Sequence, residues 1–164
     1  MHWFWISFIL SPIFVIKLFV FSSSIVKIIP GFVQNWPAPK LIEAILINVE
    51  KNWPKNLPSG IIHADLFSDN IFFQNEEFTG IIDFYFSCND FYSFEIAVCF
   101  NALCFDGQKH NLSFNVTKAK NFIDGYSKLR KLSDEEKKSI KVLSQGSALR
   151  FLLTRVLDAL NTVE

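Results

Sequence analysis

Residues 61–84 decide the fold, and they read IIHADLFSDNIFFQNEEFTGIIDF. Short apolar runs at 61–63, 71–73 and 80–84 predict three β-strands, because each is brief and bounded by polar or turn-forming residues. The polar stretch 74–77 lies between the second and third runs. Its position predicts that these two strands pair as a β-hairpin.

Three polar residues follow these strands at spacings that suit phosphoryl transfer. Asp65 comes after the first strand, Asn70 is five residues further on, and Asp83 closes the third strand. A phosphoryl group moving from ATP to a hydroxyl needs a proton acceptor, a role for Asp65, and metal to neutralise the phosphates. Asn70 and Asp83 offer oxygen ligands, which Mg²⁺ prefers. His63 is expected to brace the loop by hydrogen bonding, and a surface loop without chemistry is the alternative.

The composition is that of a folded protein with a sizeable core. The chain has 164 residues, of which 50% are hydrophobic and 16% aromatic, including 19 phenylalanines. Its 16 basic and 16 acidic residues balance, so nothing in the charge indicates a nucleic-acid partner. Cys88, Cys99 and Cys104 lack CxxC spacing and predict buried, reduced thiols in a cytoplasmic protein.

The chain divides into an apolar segment, 1–35, and a domain, 36–164, in which polar and apolar residues alternate as in a soluble enzyme. The run within 3–33 is close to the length that crosses a bilayer, although Lys17 and Pro12 interrupt it. Three interpretations stay open for this segment. It is a membrane anchor, an apolar segment packed within the protein, or a misread start of the gene.

The remaining domain is predicted to be mostly helical. Ser133 and Glu136 form a capping box, in which each side chain bonds to the backbone of the other residue at a helix start. Apolar residues recur at helical spacing in five segments, which predict helices over 39–52, 91–105, 116–129, 134–145 and 148–160.

With these residues identified, the sequence resembles the homoserine kinase group of the aminoglycoside phosphotransferase and choline kinase superfamily, which is protein-kinase-like. The resemblance runs from about Trp53 to Thr162. The stretches IIDFYFSCNDF and SFNVTKA discriminate best, since the catalytic Asp motif is shared by all relatives. The stretches that carry it are GIIHADLFSDNIFF (60–73), GIIDFYFSCNDF (80–91), FEIAVCFNALCFD (94–106), SFNVTKAKNFIDGY (113–126) and ALRFLLTRVLDALNT (148–162).

This resemblance implies an α+β, mostly helical fold: a kinase-like C-terminal lobe with a small β-hairpin at the catalytic loop. It implies Asp65 as catalytic base, Asn70 and Asp83 as magnesium ligands, and Asp90 and Glu95 as residues that brace the catalytic loop. The implied cofactors are ATP and Mg²⁺. The implied reaction phosphorylates the small molecule L-homoserine to O-phosphohomoserine, a step toward threonine.

Two departures from the family pattern keep alternatives open. Relatives usually have Asp where Glu95 stands. They also begin with a nucleotide-binding lobe that has a glycine-rich loop and a Lys–Glu pair, whereas Gly31 is the only glycine before Gly60 here. The expectation is therefore a chain that lacks this lobe. The alternatives are an inactive kinase remnant, a related aminoglycoside- or choline-type phosphotransferase, and a protein tethered to a membrane through 3–33.

Overall fold

The computed structural model describes residues 39–108 and 111–161. The expectations for residues 1–35 lie outside these ranges. Within them, none of the helices combines the length and the apolar character that crossing a bilayer requires. The described residues form a mostly helical α+β unit with small antiparallel sheets, which confirms the predicted fold class.

The elements follow one another along the chain as follows. The helices are α1 (Pro39–Asn52), α2 (Tyr92–Leu103), α3 (Val116–Ser127) and α4 (Asp134–Asn161). The strands are β1 (Ser59–Ile62), β2 (Ile71–Gln74), β3 (Glu77–Ile81), β4 (Cys88–Phe91), β5 (Phe105–Asp106) and β6 (Ser113–Phe114), and short 3₁₀ turns occupy Ser68–Asn70 and Phe84–Phe86.

The predicted hairpin is confirmed as the antiparallel pair β2–β3. Ile71 lies opposite Ile81, and a bulge follows Phe72. Two residues, Asn75 and Glu76, join the strands with positive φ angles of 49° and 65°. Two successive left-handed residues match the right-handed twist of paired strands, which explains why so short a connection suffices.

A second antiparallel pair, β1–β4, was not anticipated from the sequence. Gly60 lies opposite Asp90 in its register. A β-carbon at Gly60 would overlap the Tyr92 ring, so glycine allows the start of α2 to pack closely on β1. This pairing places the first turn of α2 beside the loop that follows β1. The short pair β5–β6 was also missed.

Helix α4 is continuous, and the prediction of two helices over 134–145 and 148–160 is wrong. Gly146 lies between the two predicted segments. In the structure this glycine faces Trp53, and a β-carbon would overlap the indole ring. Close packing therefore explains the glycine, and the helix passes through it. The capping box is confirmed: Ser133 N–H donates to Glu136 Oε2 at 2.9 Å, and Glu136 N–H donates to Ser133 Oγ at 3.2 Å.

The core is built around α2, which packs against α4 and β1. Phe94 and Val98 of α2 are fully buried against Leu143 of α4. A second cluster joins α2 to α3, and a third joins α1 to α4. The central helix therefore packs against β1, which leads into the loop, and against the helices α3 and α4.

Candidate active site

The loop after β1 holds Asp65 and Asn70 in contact. The side-chain amide of Asn70 donates to the Asp65 carbonyl oxygen at 2.9 Å, and Asn70 itself is buried. The backbone N–H of Phe67 donates to the same carbonyl at 2.9 Å, and the N–H of Asn70 donates to Phe67 O at 3.0 Å. The five-residue spacing between Asp65 and Asn70 thus corresponds to one closed loop.

Asp83 reaches the same region through the hairpin. Beyond the last β3 residue, Ile82 N–H donates to the Asn70 carbonyl at 3.1 Å. Asp83 follows with φ 64° and ψ 61°, a left-handed conformation that is uncommon outside glycine, asparagine and aspartate. The structure therefore brings Asp65, Asn70 and Asp83 together, although 18 positions separate the first from the last.

His63 connects the two ends of this arrangement. Its Nε2–H donates to the Ile82 carbonyl at 2.8 Å, and its Nδ1 accepts from the Asp65 N–H at 3.3 Å. These two bonds together define the neutral ring with the proton on Nε2. The ring also lies 4.8 Å from the Phe84 ring centre. His63 thus bonds to the backbone of Asp65 itself and to the backbone of Ile82, the residue before Asp83.

The two other predicted bracing residues differ in what they contact. Glu95 Oε2 accepts from the Ala64 N–H at 2.8 Å, so it bonds directly to the catalytic loop. Asp90 Oδ1 accepts from the Phe91 N–H at 2.7 Å, within β4 and the start of α2, while its buried Oδ2 has no partner. Burial raises the pKa of both carboxyl groups, and the hydrogen bonds from backbone N–H groups oppose that shift.

Arg150 of α4 is a site residue that sequence reasoning missed. It is buried, its Nη1 donates to the Ala64 carbonyl, and its Nη2 lies 4.0 Å from Asp65 Oδ1. An arginine between apolar neighbours, Leu149 and Phe151, was the only available signal, because a charge on a buried face needs a partner. Periodicity alone identified that segment as core.

The electrostatics of Asp65 reflect both burial and neighbours. Burial raises the pKa of the Asp65 carboxyl above its ordinary value, the Arg150 guanidinium lowers it, and the Asp83 carboxylate raises it. The net effect is an upward shift, which makes the carboxylate a stronger proton acceptor. The effect of Asp83 on the pKa of Asp65 places the two carboxyl groups near each other.

The donor set fits a magnesium ion that is shared with phosphate. Asn70 commits its amide nitrogen to Asp65, which leaves the amide oxygen as the atom that could bind a cation. Asp83 adds a carboxylate. Among the residues that the structure describes, no group of three or more His, Cys, Asp or Glu side chains is arranged to hold a metal. Mg²⁺ is commonly bound by one or two protein oxygens together with phosphates and waters, so this sparse set is compatible with it.

The fold and site define a class: a helical lobe in which a loop with Asp65 and Asn70 lies beside a hairpin that ends near Asp83, the arrangement of kinase-like phosphotransferases. Residues 32–132 match the model of the phosphotransferase enzyme family, and the chain belongs to that family. Its descent is therefore shared with phosphotransferase enzymes.

Similar curated proteins include several homoserine kinases. The chain is 52% identical over 117 residues to a homoserine kinase of Mesorhizobium japonicum, covering 71% of this chain and 36% of the relative. It is 51% identical over 123 residues to a homoserine kinase of Bartonella henselae, covering 75% and 38%. A homoserine kinase of Xanthobacter autotrophicus is 52% identical over 130 residues, covering 77% and 40%. The chain thus spans well under half the length of these relatives.

Proposed function

We propose that this chain transfers the γ-phosphoryl group of ATP to the hydroxyl of L-homoserine, with Asp65 as the catalytic base. The observation that carries the proposal is the closed loop in which Asn70 bonds to Asp65 at 2.9 Å while the hairpin brings Asp83 alongside. This arrangement supplies a proton acceptor and two oxygen ligands on one edge of the lobe.

The proposed step is an in-line displacement. The substrate hydroxyl oxygen bonds to the γ-phosphorus, the bond from that phosphorus to the ADP oxygen breaks, and Asp65 accepts the hydroxyl proton. Asn70 and Asp83 would hold magnesium, which when bound neutralises charge on the phosphates. His63 and Glu95 position the loop through their bonds to the backbone around Asp65.

Homoserine is proposed as the acceptor because the relatives at about half identity carry that name. The product would be O-phosphohomoserine, on the route to threonine. A cytoplasmic location belongs to the same proposal, and the three free cysteines are compatible with it. Bracing by Asp90 stays a prediction, since its hydrogen bond is to Phe91.

An acceptor panel tests the substrate. ADP release by the purified chain is followed with Mg²⁺ and ATP in the presence of L-homoserine, choline or an aminoglycoside. We expect kcat/KM for homoserine to exceed the others by about 100-fold or more, since a site built to bind one set of polar groups rejects analogues that lack them. Preference for choline or the aminoglycoside would overturn the acceptor. If the folded chain releases no ADP with any of the three acceptors, the proposed activity is overturned and the chain is an inactive kinase remnant.

A further inference from the structure

Arg150 lies at the junction of the catalytic loop and the helical core. It is 6% exposed, and it reaches the loop from α4, 86 residues further along the chain. Burying a guanidinium is costly unless it is paired and hydrogen-bonded. The contacts of Arg150 must therefore account for the burial of its charge.

Its contacts converge on the backbone immediately before Asp65. Ala64 has a φ angle of 63°, a left-handed conformation that an alanine adopts only when its surroundings hold it. The Ala64 N–H donates to Glu95 of α2, and the Ala64 carbonyl accepts from Arg150 of α4. Two charged side chains from two helices thus hold both polar backbone groups of one strained residue.

The same guanidinium also contacts Asp65 and the turn that follows Asp83. It lies 4.0 Å from Asp65 Oδ1, at the limit of an ion pair, and stacks over the Phe86 ring with 5.0 Å to its centre. The ring of Phe151, next to it on α4, covers it at 4.6 Å. Phe86 belongs to the turn directly after Asp83, so one side chain touches the segments that carry both Asp65 and Asp83.

We propose that Arg150 is a positioning residue that fixes the Asp65 carboxylate relative to Asp83 by clamping the Ala64 carbonyl and the Phe86 ring. This inference rests on the proposed function for its catalytic consequence. A planar guanidinium can donate to a carbonyl, pair with a carboxylate and stack on rings at once, whereas a lysine ammonium cannot do all three. The position therefore requires arginine rather than any cation.

The test compares Arg150→Met and Arg150→Lys with Arg155→Met and Arg155→Lys. Arg155 lies on the same helix but is exposed, which makes it a matched control. Amide hydrogen exchange is measured at Ala64 and, as an internal reference, at Val98 in the core of α2. Turnover of homoserine with Mg²⁺ and ATP is measured on the same samples, together with the melting temperature.

In Arg150→Met the Ala64 carbonyl loses its charge-assisted donor, so the residue is held less firmly. Exchange of the Ala64 N–H, which bonds to Glu95, should therefore rise by about tenfold or more, while Val98 changes little. We expect kcat to fall by about 100-fold with KM nearly unchanged, because misplacement of a catalytic group affects the reacting geometry. Arg150→Lys should recover the melting temperature but only part of kcat. A purely structural role would instead change the melting temperature and spare the kcat of folded protein.

The exchange and turnover measurements separate the two hypotheses. Unchanged exchange at Ala64 in folded Arg150→Met overturns the clamp, whether or not the chain is active. If Arg150→Met does not fold, Arg150→Lys decides: faster exchange at Ala64 supports the clamp and unchanged exchange overturns it. Absence of turnover in the unmodified chain counts against the proposed function alone. A kcat in folded Arg150→Met equal to that of Arg155→Met overturns the catalytic consequence.

Discussion

The carboxylate of Glu95 accepts a hydrogen bond from the backbone N–H of Ala64 at 2.8 Å, so the first turn of α2 is tied to the catalytic loop. The family pattern leads one to expect the shorter Asp at this position, and the longer arm of Glu95 reaches the loop. The bond gives a partner to the N–H of Ala64, the left-handed residue before Asp65, which would otherwise be buried without one.

Removing this acceptor should destabilise the fold. Glu95→Ala is expected to lower the free energy of unfolding by about 1–3 kcal/mol, because the Ala64 N–H loses its partner. Glu95→Gln keeps an acceptor oxygen and should cost less. Glu50→Gln, at an exposed position on α1, is the control. Urea unfolding measures the difference, and equal stability of Glu95→Ala and the unmodified chain would contradict the role of this bond.

The pH dependence of the same variants has a definite sign. Burial raises the folded-state pKa of Glu95 above its unfolded value, so the folded chain binds this proton more tightly. Its contribution to stability is full below an unfolded pKa of about 4.3 and is lost as pH rises through the folded pKa. The stability of Glu95→Gln relative to the unmodified chain should therefore improve as pH rises from 4 to 7. A relative loss over that range in urea titrations would contradict the shift.

Glycine 146 tests the packing of the continuous helix α4. A β-carbon there would overlap the Trp53 ring, so Gly146→Ala should lower stability by about 1–3 kcal/mol despite the better helix propensity of alanine. Gly125, in α3, has open space around its α-carbon and supplies the matched control. Gly125→Ala should raise stability by about 0.5–1 kcal/mol. Thermal unfolding that shows the same sign for both substitutions would contradict the contact between α4 and Trp53.

The thiol of Cys88 should react slowly for a half-buried cysteine. Burial, helped by the Asp90 carboxylate, raises the pKa of Cys88 to about 11. Only the thiolate reacts with iodoacetamide, so the alkylation rate should keep rising about tenfold per pH unit from pH 7.5 to 9.5. In the urea-unfolded chain the rate should level off near a pKa of about 8.5. Mass spectrometry of the Cys88 peptide follows both, and levelling near pH 9 in the folded chain would contradict the shift.

The parts of the fold that could be predicted from the sequence are those marked by a pattern within a short stretch of residues. The hairpin β2–β3 is marked by two apolar runs around a polar turn, and the residues at its ends identified the site. Strand β4 was missed because Asn89 and Asp90 interrupt its apolar character, and its pairing with β1 is set by tertiary contact. The continuity of α4 through Gly146 has a related cause, since the close packing of this glycine on Trp53 is a tertiary contact.

Arg150 shows where sequence reasoning about the site ends. Its partner, Ala64, is 86 positions away and is engaged through its backbone, so no side-chain pattern links the two. Local spacing could place Asp65, Asn70 and Asp83 because a loop and a hairpin connect them. It could not place a side chain brought in by the packing of α4 on α2.

Phosphate transfer by the Asp65→Asn variant tests the central claim most directly. Phosphohomoserine is measured by mass spectrometry after incubation with ATP, Mg²⁺ and L-homoserine, with Asp124→Asn, an exposed change on α3, as control. We expect product from the unmodified chain and from Asp124→Asn, and a loss of about 100- to 10,000-fold in Asp65→Asn, the range typical for removing a catalytic base. Undiminished product from Asp65→Asn, or none from the folded unmodified chain, would contradict it.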